Sequence, residues 1–183
     1  MASGARPRLL LHSCCGPCSS SVLEYLGGLF AVTVCYDNPN IYPEAEYKKR
    51  LSEQKRLCEI LNVPLIEAVY DHEKYLRDVR GLENEPEGGK RCEVCIGARM
   101  ERAAAYAKEN GFDYFTTTLS VSPHKDAAFI NRKGEEIEKR VGVPYYYADF
   151  KKKDGYLRSI RLSEKYGLYR QSYCGCEFAK REE

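Results

Sequence analysis

The sequence predicts an α/β fold: a parallel sheet in a three-layer, Rossmann-like (HUP-like) arrangement with helices on both faces. Three observations carry that expectation. Short β-branched or apolar runs alternate with amphipathic helical stretches along the chain. The 183 residues suffice for one substantial core and leave little room for a second, so residues 1–183 are taken as a single domain. Hydrophobic residues at 43% and charged residues at 31% match an ordinary globular composition.

In chain order, Leu9-Leu10-Leu11 is a short buried strand, and Cys14-Cys15-Gly16-Pro17-Cys18 turns from it into a helix with Val22, Leu23 and Leu26 on its apolar face. A second strand, Phe30 to Tyr36, ends in the turn Asp37-Asn38-Pro39-Asn40, after which Pro43 opens a long helix to about Leu61. Pro64 to Tyr70 is a third strand. A polar stretch from Gly81 to Gly89 leads to Arg91-Cys92 and to a helix over Ala98 to Ala107, closed by Asn110-Gly111, which puts the second thiol pair at a helix start. Asp113 to Leu119, rich in aromatics and threonine, is a fourth strand, followed by a helix from Asp126 to Arg140. Pro144 to Phe150 is a fifth strand, and a last helix runs from Gly155 to Tyr166. Ligands of such folds gather beyond the carboxyl ends of the strands, where the first thiol cluster and the Asp37 turn should be neighbours.

Seven of the nine cysteines fall in three groups, Cys14/Cys15/Cys18, Cys92/Cys95 and Cys174/Cys176. Thiols spaced this tightly favour a soft metal: iron–sulfur clusters, zinc or Cu(I). An odd count, adjacent Cys14 and Cys15 and an N-terminal apolar run too short for a signal peptide argue against a disulfide framework. Cys15-x-x-Cys18 alone fits a thioredoxin-like redox pair at a helix start, and any four of the seven would fill a structural zinc site. Seven exceed one tetrahedral site, which suggests a four-thiolate cluster with a further metal or reactive thiols beside it. Cys35 and Cys58 lack close partners and are expected to be core residues.

The net charge is only +2, but its distribution is uneven. Lys151 to Arg170 carries +5, and Asp71 to Glu87 carries −3. The basic segment offers a face to phosphates. No apolar run approaches the roughly 20 residues of a membrane span. A cytoplasmic location, where thiols stay reduced, is therefore expected, with no membrane partner.

Five motifs in order carry a likeness to a known family: His12-Ser13-Cys14-Cys15-Gly16-Pro17-Cys18; Asp37-Asn38-Pro39-Asn40-Ile41 with Pro43 and Glu46; Arg91-Cys92 with Cys95; Thr117-Thr118-Leu119 with Ser122-Pro123-His124-Lys125; and Tyr169-Arg170-Gln171-Ser172-Tyr173-Cys174-Gly175-Cys176. Together they resemble the epoxyqueuosine reductase family of the QueH type over nearly the whole chain. The resemblance implies a reductase that converts epoxyqueuosine to queuosine at the wobble position of a tRNA anticodon, using a [4Fe-4S] cluster and an adjacent mononuclear iron. Members of the family carry Cys or Asp at the position of Cys18, which suits a ligand of the lone iron.

On that reading Cys14, Cys15, Cys18, Cys92, Cys95, Cys174 and Cys176 are the metal ligands, with Cys92, Cys95 and one cysteine from each end group on the cluster. The cluster would pass electrons singly while the lone iron acts as a Lewis acid. Asp37 is the first candidate proton donor, with His12, His124 and Tyr173 behind it. His12 suits a packed position better than a ligand's. Lys151, Lys152, Lys153 and Arg170 are candidate phosphate contacts, and Tyr169 and Tyr173 candidate stacking surfaces among fifteen tyrosines. The chain shows no glycine fingerprint for a nicotinamide or flavin, so a separate low-potential electron donor is expected. Two rivals remain. An ATP-dependent tRNA sulfur-transfer enzyme with an iron–sulfur cluster would need a glycine-rich phosphate loop where Cys14 to Cys18 stand. A zinc-stabilised RNA-binding module would be colourless.

Overall fold

A computed structural model describes residues 4–179. Met1 to Ser3, part of the N-terminal stretch weighed above, lie outside the described residues. Four parallel strands form one sheet in the order β3-β2-β1-β4: β1 is Arg8–Ser13, β2 Ala31–Tyr36, β3 Leu65–Glu67 and β4 Tyr114–Thr117. Helices α1 (Gly16–Leu26) and α2 (Glu44–Leu61) follow β1 and β2, and α3 (His72–Asp78) and α4 (Lys90–Glu109) lead from β3 to β4. A 3-10 turn (Thr118–Val121), α5 (Ala127–Val141) and α6 (Gly155–Tyr166) complete the order before a short 3-10 turn at Glu177–Ala179.

Alternation along β1 builds both layers, because successive side chains of a strand point to opposite faces. Leu9 and Leu11 pack with Val22, Leu26 and Leu57 of α1 and α2, while Leu10 packs with Met100, Ala104 and Ile130 of α4 and α5. Local chemistry sets the helix ends. Asp126 accepts hydrogen bonds from the backbone N–H groups of Ala128 and Phe129 to start α5, and Gly142 ends it at φ +80°.

The structure departs from the expected elements in four places. Pro144 to Phe150 is not a strand: it meets the sheet at one bridge, Phe115 to Tyr145. Side chains of α5 take the backbone groups a ladder would use. Glu138 accepts from the Tyr145 N–H at 2.8 Å, and Asn131 accepts from the Ala148 N–H at 3.3 Å while donating to the Ala148 carbonyl at 3.0 Å. The Tyr145 ring also occupies the space over Gly134, where any Cβ would come within 2.5 Å of it. Second, the acidic stretch holds a helix, α3, capped by Asp71, which accepts from the Lys74 N–H at 2.9 Å. Third, α4 begins at Lys90 rather than near Ala98, so Cys92 and Cys95 lie inside its first turns. The third strand is also short. Tyr70 leaves the sheet to stack on Tyr47 at 4.2 Å. Among the described residues no helix is long and apolar enough to cross a membrane.

Candidate metal centre

The parallel register sets Ser13 beside Tyr36, so the loop after β1 and the loop after β2 leave the sheet together. Asn38 ties them, donating to the Ser13 carbonyl at 2.8 Å. The Cys15 side chain caps α1, accepting from the Cys18 N–H at 3.5 Å, which turns both sulfurs to one spot. Ligand sulfurs of Cys14, Cys15 and Cys18 lie within 4.8 Å of one another. Cys14 and Cys15 sulfurs are 3.8 Å apart. Two thiolates at about 2.3 Å from one tetrahedral metal are separated by about 3.8 Å, so this pair fits a shared ion without rearrangement.

The trio is arranged around one negative charge. Hydrogen bonds from the Cys15 and Cys18 thiols, with a further one from the Thr118 hydroxyl at 3.3 Å, hold the Cys14 thiol well below its usual range. The same contact with Cys14 pushes Cys15 up to about 12, and Cys14 and Cys15 push Cys18 well above its usual range. Beneath them His12 is fully buried, bonded at Nδ1 to the Thr117 hydroxyl (2.9 Å) and at Nε2 to the Asp37 carbonyl (3.0 Å). A carbonyl only accepts, so Nε2 carries the hydrogen. Burial, then the charge of Arg99, lowers the His12 pKa to about 4, and the ring is neutral at physiological pH. It is a packed histidine.

Of the other four thiols, three meet across the chain, and Cys92 lies one turn before Cys95 on α4. Cys95 and Cys176 share a buried cluster with Tyr75 and Val79, and Cys174 packs against it. The Tyr75 hydroxyl contacts the Cys176 sulfur at 2.8 Å, and the Gly88 N–H donates to the Cys92 sulfur at 3.2 Å. The Cys176 thiol and, against burial, the charge of Lys125 bring Cys174 down to about 6. Cys35 and Cys58 lie in the two apolar layers instead.

The C-terminal tail reaches this place by a clamp that sequence reasoning missed. Arg50, 2% exposed, is ion-paired with Glu46 at 2.6 Å and donates to the carbonyls of Cys174 (3.1 Å) and Tyr173 (3.2 Å). The Tyr42 N–H donates to the Gly175 carbonyl at 2.9 Å, and His72 bridges the Pro39 carbonyl and Glu177. A lone arginine on a helix four residues after a glutamate looks like a surface pair in sequence. Only the tail's arrival buries it.

Other predicted site residues are distributed as follows. Both Asp37 carboxylate oxygens are taken by Arg102, at 2.6 and 3.3 Å, which leaves neither free to hand a proton to a substrate. His124 is exposed. Tyr173 donates its hydroxyl to the Tyr42 carbonyl at 3.2 Å, and burial raises its pKa, so it keeps its proton. Lys152 and Lys153 are exposed in the turn before α6, and Lys151 pairs with Asp149 at 3.3 Å. That turn is tied to the thiol rim by the Phe150 N–H, which donates to Ser120 at 3.2 Å. Tyr169 and Arg170 are engaged within the chain: Lys49 covers the Tyr169 ring at 3.5 Å, and Arg170 donates to the Ser163 hydroxyl at 3.1 Å.

Fold and site define a Rossmann-like α/β protein with a trio of thiols, Cys14, Cys15 and Cys18, at the carboxyl end of β1, a group of the kind that could hold a soft metal. Comparison with known proteins narrows this. The family model described as epoxyqueuosine reductase QueH matches residues 9–182, and the chain belongs to that family. A relative named epoxyqueuosine reductase QueH from Streptococcus pyogenes serotype M1 is 44% identical over 180 residues, covering 95% of this chain and 71% of the relative. One of the same name from Staphylococcus epidermidis is 42% identical, covering 96% and 77%, and one from Thermotoga maritima is 34% identical, covering 93% and 89%. Two solved structures share the fold. A predicted subunit of tRNA methyltransferase from Methanocaldococcus jannaschii has a TM-score of 0.57 at 13% identity, over 84% of this chain and 74% of that one. The U34-tRNA thiolase NcsA from Methanococcus maripaludis, solved with its [4Fe-4S] cluster, has a TM-score of 0.55 at 11% identity, over 97% and 63%.

Proposed function

We propose that this chain is an oxidoreductase that converts epoxyqueuosine to queuosine in tRNA, with a [4Fe-4S] cluster and an adjacent iron held by its seven clustered thiols. Family membership names the reaction class. The observation that supports the metal reading is the trio Cys14, Cys15 and Cys18, within 4.8 Å of one another at the end of β1.

Removing the epoxide oxygen as water and leaving a carbon–carbon double bond takes two electrons and two protons. Thiolate-bound iron supplies single-electron transfer and Lewis acidity when present. Cys92 and Cys95 with one cysteine from each end group would be the cluster's ligands, and Cys18 a ligand of the adjacent iron.

Tyr173, next to Cys174 in the chain and keeping its proton, takes the proton-donor role, while Asp37 orients Arg102. Lys151 to Lys153 contact phosphates of the anticodon arm, and Tyr169 and Arg170 act through the tail they brace. Electrons come from a separate low-potential donor. Anaerobically purified protein, treated with a chemical reductant and tRNA bearing epoxyqueuosine, is tested by mass spectrometry of the digested nucleosides. Queuosine with loss of one oxygen mass is the expected product. Iron-loaded protein that leaves the epoxide intact would refute the assignment.

A further inference from the structure

Arg99 is the anomaly of the site. It lies one helical turn beyond Cys95 on α4, on the face formed by Cys92, Cys95, Arg99 and Arg102, and it is 5% exposed. Its Nε donates to the Cys95 carbonyl at 3.3 Å and a terminal nitrogen to Asn38 Oδ1 at 3.1 Å. Both acceptors are neutral. Among the described residues no carboxylate lies within ion-pair distance of it, and Asp37, the nearest on its side, is already held by Arg102. Arg50 and Arg102, by contrast, each have a carboxylate, Glu46 and Asp37.

A guanidinium removed from water without a counter-charge is strongly destabilising, and natural proteins retain one where an anion compensates it. The groups able to supply that anion are sulfurs. Arg99 is fixed at one end to the Cys95 carbonyl and at the other to Asn38, which in turn holds the Ser13 carbonyl before Cys14, so its guanidinium lies between the backbone of two thiol-bearing segments.

We propose that Arg99 is the fixed counter-charge of the thiolate-bound iron centre, a positioning residue whose guanidinium favours the reduced state and so draws electrons into the site. The inference rests on the iron–sulfur reading above and says which residue sets the centre's potential. Each electron added makes the centre more negative, and a buried cation beside it stabilises that state. Removing the cation must lower the reduction potential, whereas removing a merely structural arginine need not move it.

The test is an anaerobic redox titration, followed by electron paramagnetic resonance, of wild type, Arg99→Met and Arg99→Lys after iron–sulfur reconstitution, with iron and sulfide content measured on each. Expected is at least a tenfold fall in the reduced-to-oxidised ratio of Arg99→Met at a fixed solution potential, about 59 mV for one electron, with Arg99→Lys lying nearer wild type. Equal potentials in loaded wild type and loaded Arg99→Met overturn the inference alone. Should Arg99→Met bind no iron, Arg99→Lys decides: retention of the centre supports the charge role, and equal loss in both overturns it. Wild type that takes up no redox-active iron overturns the metal reading, and this inference with it.

Discussion

Replacing Gly175 by alanine separates the tail's role in the metal site from its role in the fold. Gly175 sits between Cys174 and Cys176 at φ +105°, a backbone region that L side chains avoid. A Cβ there would lie 2.8 Å from Ile41 Cγ1 and 3.0 Å from an Arg50 terminal nitrogen. Neither neighbour can yield freely: Ile41 is buried, and Arg50 is fixed by Glu46 and two carbonyls. The backbone strain is about 1–3 kcal/mol, and the overpacking adds about 1–3 kcal/mol. Opposing release are a few hydrogen bonds worth about 1 kcal/mol each. The two sides are comparable, so the tail lifts while the sheet and its two apolar layers stay. Reconstituted Gly175→Ala should hold much less iron than wild type by metal analysis, while its far-ultraviolet circular dichroism is unchanged and its Tm falls only a few degrees. Full iron content with native spectra would show that Cys174 and Cys176 are not where the metal binds. Global unfolding would show that the tail belongs to the core.

Further predictions concern the strand ends and the basic turn. His12 has its pKa lowered from 6.5 to about 4 by burial and by Arg99, so between those values the unfolded chain binds a proton that the folded chain refuses. Stability from this group is present above pH 6.5 and is lost as pH falls towards 4, by about 3 kcal/mol. Urea unfolding at pH 7 and pH 4.5 measures it against His12→Asn, and an equal pH response in both proteins would contradict it. Changing Lys151, Lys152 and Lys153 together to glutamine should lessen the slope of log affinity against log salt for an anticodon stem-loop by about 2. An unchanged slope would place the phosphates elsewhere.

The sheet was legible because its signals are local. Leu9 to Leu11 and Phe30 to Tyr36 declare buried strands, and turn residues close them. Spacing and motif order led to the expectation that three thiol groups converge; the structure gathers Cys14, Cys15 and Cys18 at the end of β1, and Cys95 and Cys176, with Cys174 packed against them, in a second buried cluster. What remained hidden depends on partners far away in sequence. Tyr145 to Tyr147 have the β-propensity of a strand, yet Asn131 and Glu138 satisfy that backbone in its place. Asp71 carried a capping signal for α3 that the surrounding acidic charge obscured. Arg50, Arg99 and Arg102 read in sequence as the polar faces of helices. The burial of Arg50 and Arg99 and the pairing of Arg102 follow from the tail and from the Asp37-Asn38 turn packing over them.

The account stands on distant sulfurs jointly holding iron. Mössbauer spectra of 57Fe-reconstituted wild type, Cys95→Ser and Cys18→Ser measure this directly. Two iron components are predicted in wild type, with Cys95→Ser losing the cluster signal and Cys18→Ser the mononuclear one. A single component lost equally in both variants would contradict the two-centre site, and zinc in place of iron would contradict the reductase.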